Sequence, residues 1–354
     1  MSEETDRATL TPTVDSPSGG DIGNYVTRGV IVALAITAIS LFAPQVVDRV
    51  LDVLSSAERL RTIRSGWFVV MVALELISFT FMWWLIRIVL PEVSWFVAGT
   101  SQLTSNAVSR VVPGGAAVGG ATLYRMLSVS GVSSTQAAGA LAATSIVSTA
   151  ALFAIPASGL LMALFGAPVP ESLLSVAVAG GVLFVVLVGF GAIAIAFSRP
   201  LEALGRGLDR LFSRVGPWFG KSWRVEPGHL VAERDRLVSV IGKKWPQVTI
   251  AAALNWVFDY LTLVAALYAV GADPRLSLVL LAYASAAVLG MISITPGGFG
   301  FVEVGLTAAL VVSGISTQNA LLATLAYRIV SLWVPLASGV FAWLAFKARF
   351  AFFD

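Results

Sequence analysis

Few charged side chains lie inside the apolar segments of this chain, and Arg328 is the most informative of them. It sits well inside the last apolar segment, about ten residues after the start of that segment. A guanidinium at that depth in a membrane costs at least about 2.5–3.5 kcal/mol, so it must face the protein interior and have a partner. We expect that partner to be Glu303, 25 residues earlier. Two interpretations stay open: a clamp for a phosphate or carboxylate group, which a planar guanidinium suits, and a structural ion pair.

Other polar residues in the apolar segments are further candidates. Asn255 and Asp259 are four positions apart, so they share one helix face. Asp259 is a candidate to bind a coupling proton or cation, or else to complete a buried hydrogen-bond network. The same two interpretations apply to Glu75. Arg125 either reaches the same site as Arg328 or extends to the membrane surface as an anchor.

The residue types exclude several classes of chemistry. The chain has no cysteine and one histidine, His229, in a polar loop, so we expect no disulfide and no zinc or haem site. No nucleophile lies beside a histidine and no phosphate-binding Walker loop occurs, so we expect no catalytic residues, no cofactor and no ATP-driven pump. The basic residues cluster in one loop, so nucleic acid is not an expected partner.

A segment of 36 residues occurs twice in the chain without a gap. The copies cover 113–148 and 296–331, and 15 of the 36 positions are identical. Both begin with Pro-Gly-Gly: Pro113, Gly114 and Gly115, then Pro296, Gly297 and Gly298. Proline removes a backbone donor and glycine permits positive φ, so a helix should stop there. Half-helices that follow Gly115 and Gly298 would point their amino ends, which attract anions, into the membrane. The alternative is an ordinary turn outside the membrane, but recurrence at one spacing favours broken helices.

The apolar segments predict the fold class. Of the 354 residues 57% are hydrophobic and only 12% are charged, whereas soluble proteins carry about 25% charge. We expect an all-α integral membrane protein with about six full transmembrane helices and two broken, re-entrant helical hairpins at about 94–130 and 276–314. The expected spans lie at about 29–47, 67–90, 134–166, 172–198, 247–270 and 318–346.

The two halves follow the same plan. Residues 1–24 predict an acidic disordered tail and 25–354 a single membrane domain, with repeat one at about 67–166 and repeat two at about 247–346. One crossing separates the repeats, so the second is expected to be inverted relative to the first. The loop 199–246 holds ten Lys and Arg residues, which predicts that this loop and both termini lie in the cytoplasm.

Two groups of motifs in this chain resemble the lysylphosphatidylglycerol synthase transmembrane family, also called the flippase-like domain. The resemblance extends over nearly the whole chain from about residue 30. In the second half it is carried by the run Ile294 to Glu303, which includes Gly300, by Gly314-Ile-Ser, and by Tyr327-Arg328. In the first half, the run Val112 to Gly120 and the pair Tyr124-Arg125 look like the variant of actinobacterial members.

The resemblance implies a multi-pass protein of the inner membrane that moves a phospholipid or a lipid-linked head group between leaflets. From the repeat, the broken helices and the interior charges, we expect the phosphate of such a lipid to lie among Arg328, Arg125 and the half-helix ends, with Glu303 holding Arg328. Tyr327 and Tyr124 are further candidates to bind the substrate. Members that make aminoacylated phosphatidylglycerol carry an extra synthase domain, and because these 354 residues show none, we do not expect an enzyme. Relatives are also linked to hopanoid transport and to archaeal lipid-linked glycosylation, so the lipid stays open.

Two other functions remain open from the sequence. A membrane scaffold would present a lipid to a partner synthase or glycosyltransferase, with Trp218, Phe219 and Trp223 of the basic loop as its docking surface. A proton- or cation-coupled transporter of a small solute would instead depend on Asp259 and Glu75.

Overall fold

The computed structural model describes residues 65–112, 115–164, 170–215, 227–292 and 296–350. These ranges are helical and contain no strand, so the expected all-α membrane fold is confirmed. Five described helices are long and apolar enough to cross a membrane: Gly66–Val89, Ser134–Ser158, Leu173–Ala196, Trp245–Ala269 and Thr317–Phe350. They match five of the six expected spans. The sixth span, the acidic tail, Pro113, Gly114 and the loop aromatics Trp218, Phe219 and Trp223 lie outside the described residues.

The described helices form two units of similar order joined by a middle section. The first unit consists of α1 (Ser65–Val89), α2 (Trp95–Val111), α3 (Gly115–Val129) and α4 (Ser134–Leu164). The middle section consists of α5 (Glu171–Ala196), α6 (Ser198–Val215) and α7 (Pro227–Ile241). The second unit consists of α8 (Trp245–Ala269), α9 (Leu276–Ile292), a 3₁₀ turn (Pro296–Gly298), α10 (Phe301–Val312), α11 (Thr317–Arg328), a π-helical turn (Ile329–Trp333) and α12 (Val334–Phe350).

Each unit contains a pair of short helices where the sequence predicted a broken region. Helices α2 and α3 have 17 and 15 residues, and α9 and α10 have 17 and 12. All four are shorter than the roughly 20 residues that a full crossing requires. Within each unit the two short helices pack against each other. This arrangement agrees with helical hairpins, while their depth in the membrane stays a prediction.

The two units interlock. Helix α1 packs along α8, α2 packs along α12, and α9 packs against α4. The first short helix of each unit therefore lies against the last helix of the other. Gly339 permits the close approach of α12 to α2, since a Cβ atom there would lie 2.4 Å from Cβ of Ala107 and 2.6 Å from the carbonyl oxygen of Leu103. A space between the units is consequently bounded by both repeats.

The starts of two equivalent helices, one in each repeat, provide a test of the inverted orientation. Ser134 and Thr317 are the first residues of α4 and α11, correspond in the repeat, and are both exposed. Because the chain has no cysteine, Ser134→Cys and Thr317→Cys are clean single labels. We expect a membrane-impermeant maleimide to label Thr317→Cys in intact cells and Ser134→Cys only after the membrane is opened. Labelling of both residues from one side would contradict an inverted repeat.

Candidate functional site

A cavity of about 620 Å³, with both apolar and charged lining residues, lies between the two repeats. Four charged side chains line it, each from a different helix: Glu75 of α1, Arg110 of α2, Asp259 of α8 and Arg328 of α11. Small-molecule sites commonly measure about 300–1,000 Å³. Ionisable groups inside membrane-spanning segments are costly, so their convergence marks this cavity as the candidate functional site.

Arg328 forms the ion pair with Glu303 that the sequence predicted. Its Nε donates to Oε1 of Glu303 at 2.7 Å, and its Nη2 donates to the carbonyl oxygen of Gly297 at 2.6 Å. The side chain of Arg328 is only 10% exposed. The second Pro-Gly-Gly therefore supplies a backbone acceptor to the arginine, which ties the broken region to α11.

The amino end of the second half-helix differs from the prediction. Helix α10 begins at Phe301 instead of directly after Gly298, because Gly297, Gly298 and Gly300 have φ of 60°, 72° and 83° and extend the turn. The backbone N–H of Gly300 donates to Oε2 of Glu303 at 2.7 Å. The anion at this helix end is thus the carboxylate of Glu303, which caps the helix and pairs with Arg328 at once.

The amino end of the first half-helix has a different environment. Helix α3 begins at Gly115, which is buried, and its first three residues, Gly115, Ala116 and Ala117, line the cavity. No acidic residue lies in the first turn. Since helix amino ends carry partial positive charge, this end favours an anion in the cavity.

Arg110 is the functional candidate that sequence reasoning missed. It lines the cavity and interacts electrostatically with Glu75, Asp259, Tyr327 and Arg328. No hydrogen bond joins its guanidinium to any residue within the described ranges. A periodic signal was present in the sequence, because four polar residues of α2 recur at helical spacing and all line the cavity: Gln102, Asn106, Ser109 and Arg110.

Asp259 and Glu75 meet at the cavity wall. The hydroxyl of Tyr327 donates to Asp259 at 3.1 Å, and the hydroxyl of Tyr283 donates to the same carboxylate. Glu75 is 3% exposed and in hydrogen-bond contact with Asp259. Its Oε2 has no hydrogen-bond partner within the described part of the chain. Sequence reasoning named both acids but did not predict that they lie side by side, nor the role of Tyr283.

Asn255 has a different place in the site. Its Nδ2 donates to the carbonyl oxygen and the hydroxyl of Ser78 at 3.0 and 2.9 Å, and the Ser78 hydroxyl donates back to the carbonyl oxygen of Asn255 at 2.8 Å. These reciprocal bonds join α8 to α1. Asn255 therefore lines the cavity while holding its two walls together.

The structure does not bring Tyr124 and Arg125 to the cavity. Arg125 is exposed on α3, and Tyr124 is half-buried against an apolar cluster that includes Met126 and Leu127. Neither residue lines the cavity. Of the two interpretations of Arg125, this position fits the surface one. Within the described ranges, no group of three or more His, Cys, Asp or Glu residues is placed to hold a metal ion.

Comparisons with known proteins agree with the architecture. The family model described as the lysylphosphatidylglycerol synthase TM region matches residues 30–339. The chain is also 32% identical over 92 residues to a protein named UPF0104 membrane protein from Methanothermobacter thermautotrophicus. That match covers 26% of this chain and 28% of the relative's own length. No solved structure matches. Because the family model covers most of the chain, this protein belongs to the lysylphosphatidylglycerol synthase TM region family.

Proposed function

We propose that this protein moves a phosphate-bearing lipid between the leaflets of the cytoplasmic membrane, with the head group passing through the cavity between the repeats. The observation that carries the proposal is Arg110, a cation that lines this cavity without a hydrogen bond to any described residue. A phosphodiester would supply the acceptor oxygens that such a guanidinium requires, and charge-assisted bonds of this kind are short and strong.

The two arginines have unequal roles in this proposal. Arg328 is already engaged by the carboxylate of Glu303 and the carbonyl of Gly297. Its remaining charge adds to the attraction for an anion but its geometry is fixed by the protein. Arg110 and the amino end of α3, with Gly115 at its start, approach the cavity together. We therefore assign the phosphate to Arg110 and this helix end, and assign Arg328 to shaping the wall.

The composition of the cavity and of the outer surface supports a lipid over a free solute. Charged and amide side chains form part of the cavity lining, and these groups suit a polar head group. Exposed apolar side chains cover the helix surfaces, as in α5, where Val182, Val185 and Phe190 are each at least half exposed. Acyl chains would stay along such surfaces while the head group crosses. The family's description, which refers to a lipid synthase region, agrees with a lipid-related role.

The proposal is tested in vesicles. Purified full-length protein is reconstituted in phosphatidylcholine vesicles that contain a trace of phosphatidylglycerol labelled on an acyl chain. We expect the protein to speed the transfer of this lipid between leaflets, and to leave a diacylglycerol with the same labelled chain at the rate of protein-free vesicles. Equal acceleration of both lipids would indicate a general membrane disturbance and contradict the proposal.

Lipids that co-purify with the protein would identify the natural cargo. Mass spectrometry of the wild-type protein is compared with Arg110→Gln, which removes the charge from the cavity. One anionic or lipid-linked species enriched in the wild type and lost in the variant would support a translocase. Identical bulk lipid in both samples would instead favour a scaffold that does not take a head group into the cavity.

A further inference from the structure

The contact between Glu75 and Asp259 favours the binding of one proton by the two acids. The two carboxyl groups come from different helices and are in hydrogen-bond contact at the cavity wall. Two ionised carboxylates this close, away from bulk water, repel each other strongly, and such pairs commonly hold one proton between them. The described residues supply no third acidic ligand for a metal ion beside this pair.

The surroundings decide which of the two acids carries the proton. Asp259 accepts hydrogen bonds from the hydroxyls of Tyr283 and Tyr327, so its oxygens already have donors. Glu75 has a buried Oε2 without a hydrogen-bond partner in the described ranges. When the pair takes up a proton, Glu75 is therefore the acid that binds it, and its protonated oxygen becomes a donor.

One positive charge opposes this protonation. The groups that act on Glu75 are Asp259 of α8, Arg110 of α2, and the hydroxyls of Tyr283 and Tyr327 from α9 and α11. Among them Arg110 is the cation, and it favours the ionised form of Glu75. Arg110 has a single charge to share, so a phosphate in the cavity competes with Glu75 for it.

We infer that Glu75 and Asp259 form a proton-binding pair whose proton is taken up when an anionic head group binds at Arg110. The head group neutralises Arg110, the Glu75 carboxylate loses its cation, and one proton from the cavity water converts it to the carboxylic acid. Thermodynamic linkage makes the effect reciprocal, so the protonated pair binds the anion more tightly. The anion and the proton then enter together with no net change in charge. The anion in this scheme rests on the proposed function, whereas the proton pair does not.

The linkage is tested by proton uptake during binding. Purified full-length protein is titrated with short-chain phosphatidylglycerol near neutral pH, where the phosphodiester keeps one negative charge and exchanges no protons itself. Calorimetry in two buffers of different ionisation enthalpy gives the protons taken up. We expect uptake approaching about one proton per lipid in the wild type, and none in Glu75→Gln, which still binds the lipid. Glu171→Gln, at the exposed start of α5, is the matched control and should keep the wild-type uptake.

Two results would overturn the inference: proton uptake in Glu75→Gln equal to that of the wild type, or proton release on binding. Infrared spectroscopy of the lipid-free protein tests, independently of lipid binding, whether the two acids bind a proton. We expect a protonated-carboxyl band that grows as pH falls and is lost in Glu75→Gln, with Asp259→Asn as a second variant if the first does not fold. Absence of such a band also overturns the inference. If the band is present but the lipid does not bind, the proton pair stands and the proposed function fails.

Discussion

Arg110→Gln is expected to slow the transfer of labelled phosphatidylglycerol between leaflets by roughly 10- to 100-fold, since a hydrogen bond to a charged group contributes about 1.5–3 kcal/mol. The guanidinium lines the cavity and makes no hydrogen bond within the described ranges. The loss should therefore appear in transfer and in lipid binding, while the unfolding temperature in detergent stays close to that of the wild type. Arg110→Lys keeps the charge but not the planar fork, so an intermediate rate is expected.

Arg125→Gln is the comparison that separates the structure from the sequence-based expectation. The sequence grouped Arg125 with the substrate-binding residues, whereas the structure places it on the exposed face of α3, outside the cavity. We expect this variant to transfer lipid at a rate within about twofold of the wild type, because an exposed charge contributes little. Equal loss in Arg110→Gln and Arg125→Gln would contradict the assignment of the phosphate to Arg110.

Arg328→Ala is expected to lower the free energy of unfolding by about 3–5 kcal/mol, because it leaves the Glu303 carboxylate without its cation in a largely buried position. The pair is close, at 2.7 Å, and its side chains are only 10% and 20% exposed. The measurement is denaturant-induced unfolding in detergent for Arg328→Ala, Glu303→Ala and the double variant. In the double-mutant cycle the double variant should be less destabilised than the sum of the single ones, since neither charge is then left alone.

An exposed ion pair in the same chain supplies the control. Arg206 and Glu202 of α6 are 3.7 Å apart with side chains 54% and 43% exposed. Arg206→Ala should change the free energy of unfolding by less than about 1 kcal/mol. If Arg328→Ala were as mild as Arg206→Ala, the pair with Glu303 would not hold the fold, and Arg328 would be available as the substrate clamp that the sequence also suggested.

The sequence predicts best the features that depend on the cost of placing apolar or charged groups in water or in lipid. The apolar length of each span determines whether it crosses a membrane, so the five described spans were predictable. The ion pair of Arg328 with Glu303 was predictable for a similar reason, because a mid-membrane guanidinium requires a partner and few acids are near enough. Neither prediction required knowledge of how the helices pack.

The residues that were missed depend on the packing of distant helices. Arg110 lies just outside the repeated segment, and its counterpart at the repeat spacing is Ser293, which is uncharged. Comparison of the two copies therefore does not indicate Arg110 as a functional residue. Only the helical spacing of the polar residues in α2 does so. The contact of Glu75 with Asp259 joins residues from α1 and α8. A sequence pattern within one helix does not report such a contact.

Identical short motifs in the two halves lie in different surroundings. The pairs Tyr124-Arg125 and Tyr327-Arg328 have the same letters but do not correspond in the repeat, where Tyr124 aligns with Thr307 and Arg125 with Ala308. The first pair lies on the short helix α3, and the second lies at the end of α11 beside the π-helical turn. The same dipeptide consequently lies outside the cavity in one half and lines it in the other.

The first short helix of each repeat packs against the last helix of the other repeat, and this packing constrains how the cavity can open. Helix α2 is held against α12 by the close approach at Gly339, and α9 lies against α4. Any opening motion that keeps these contacts must carry α2 with α12 as one body and α9 with α4 as another. We expect the paired helices α1 and α8 to be the pivot of such a motion, because α1 packs against both α2 and α4. Because Glu75 and Asp259 lie on those two helices, the proton-binding pair would sit at the axis of the motion, where a change of charge acts on both bodies at once.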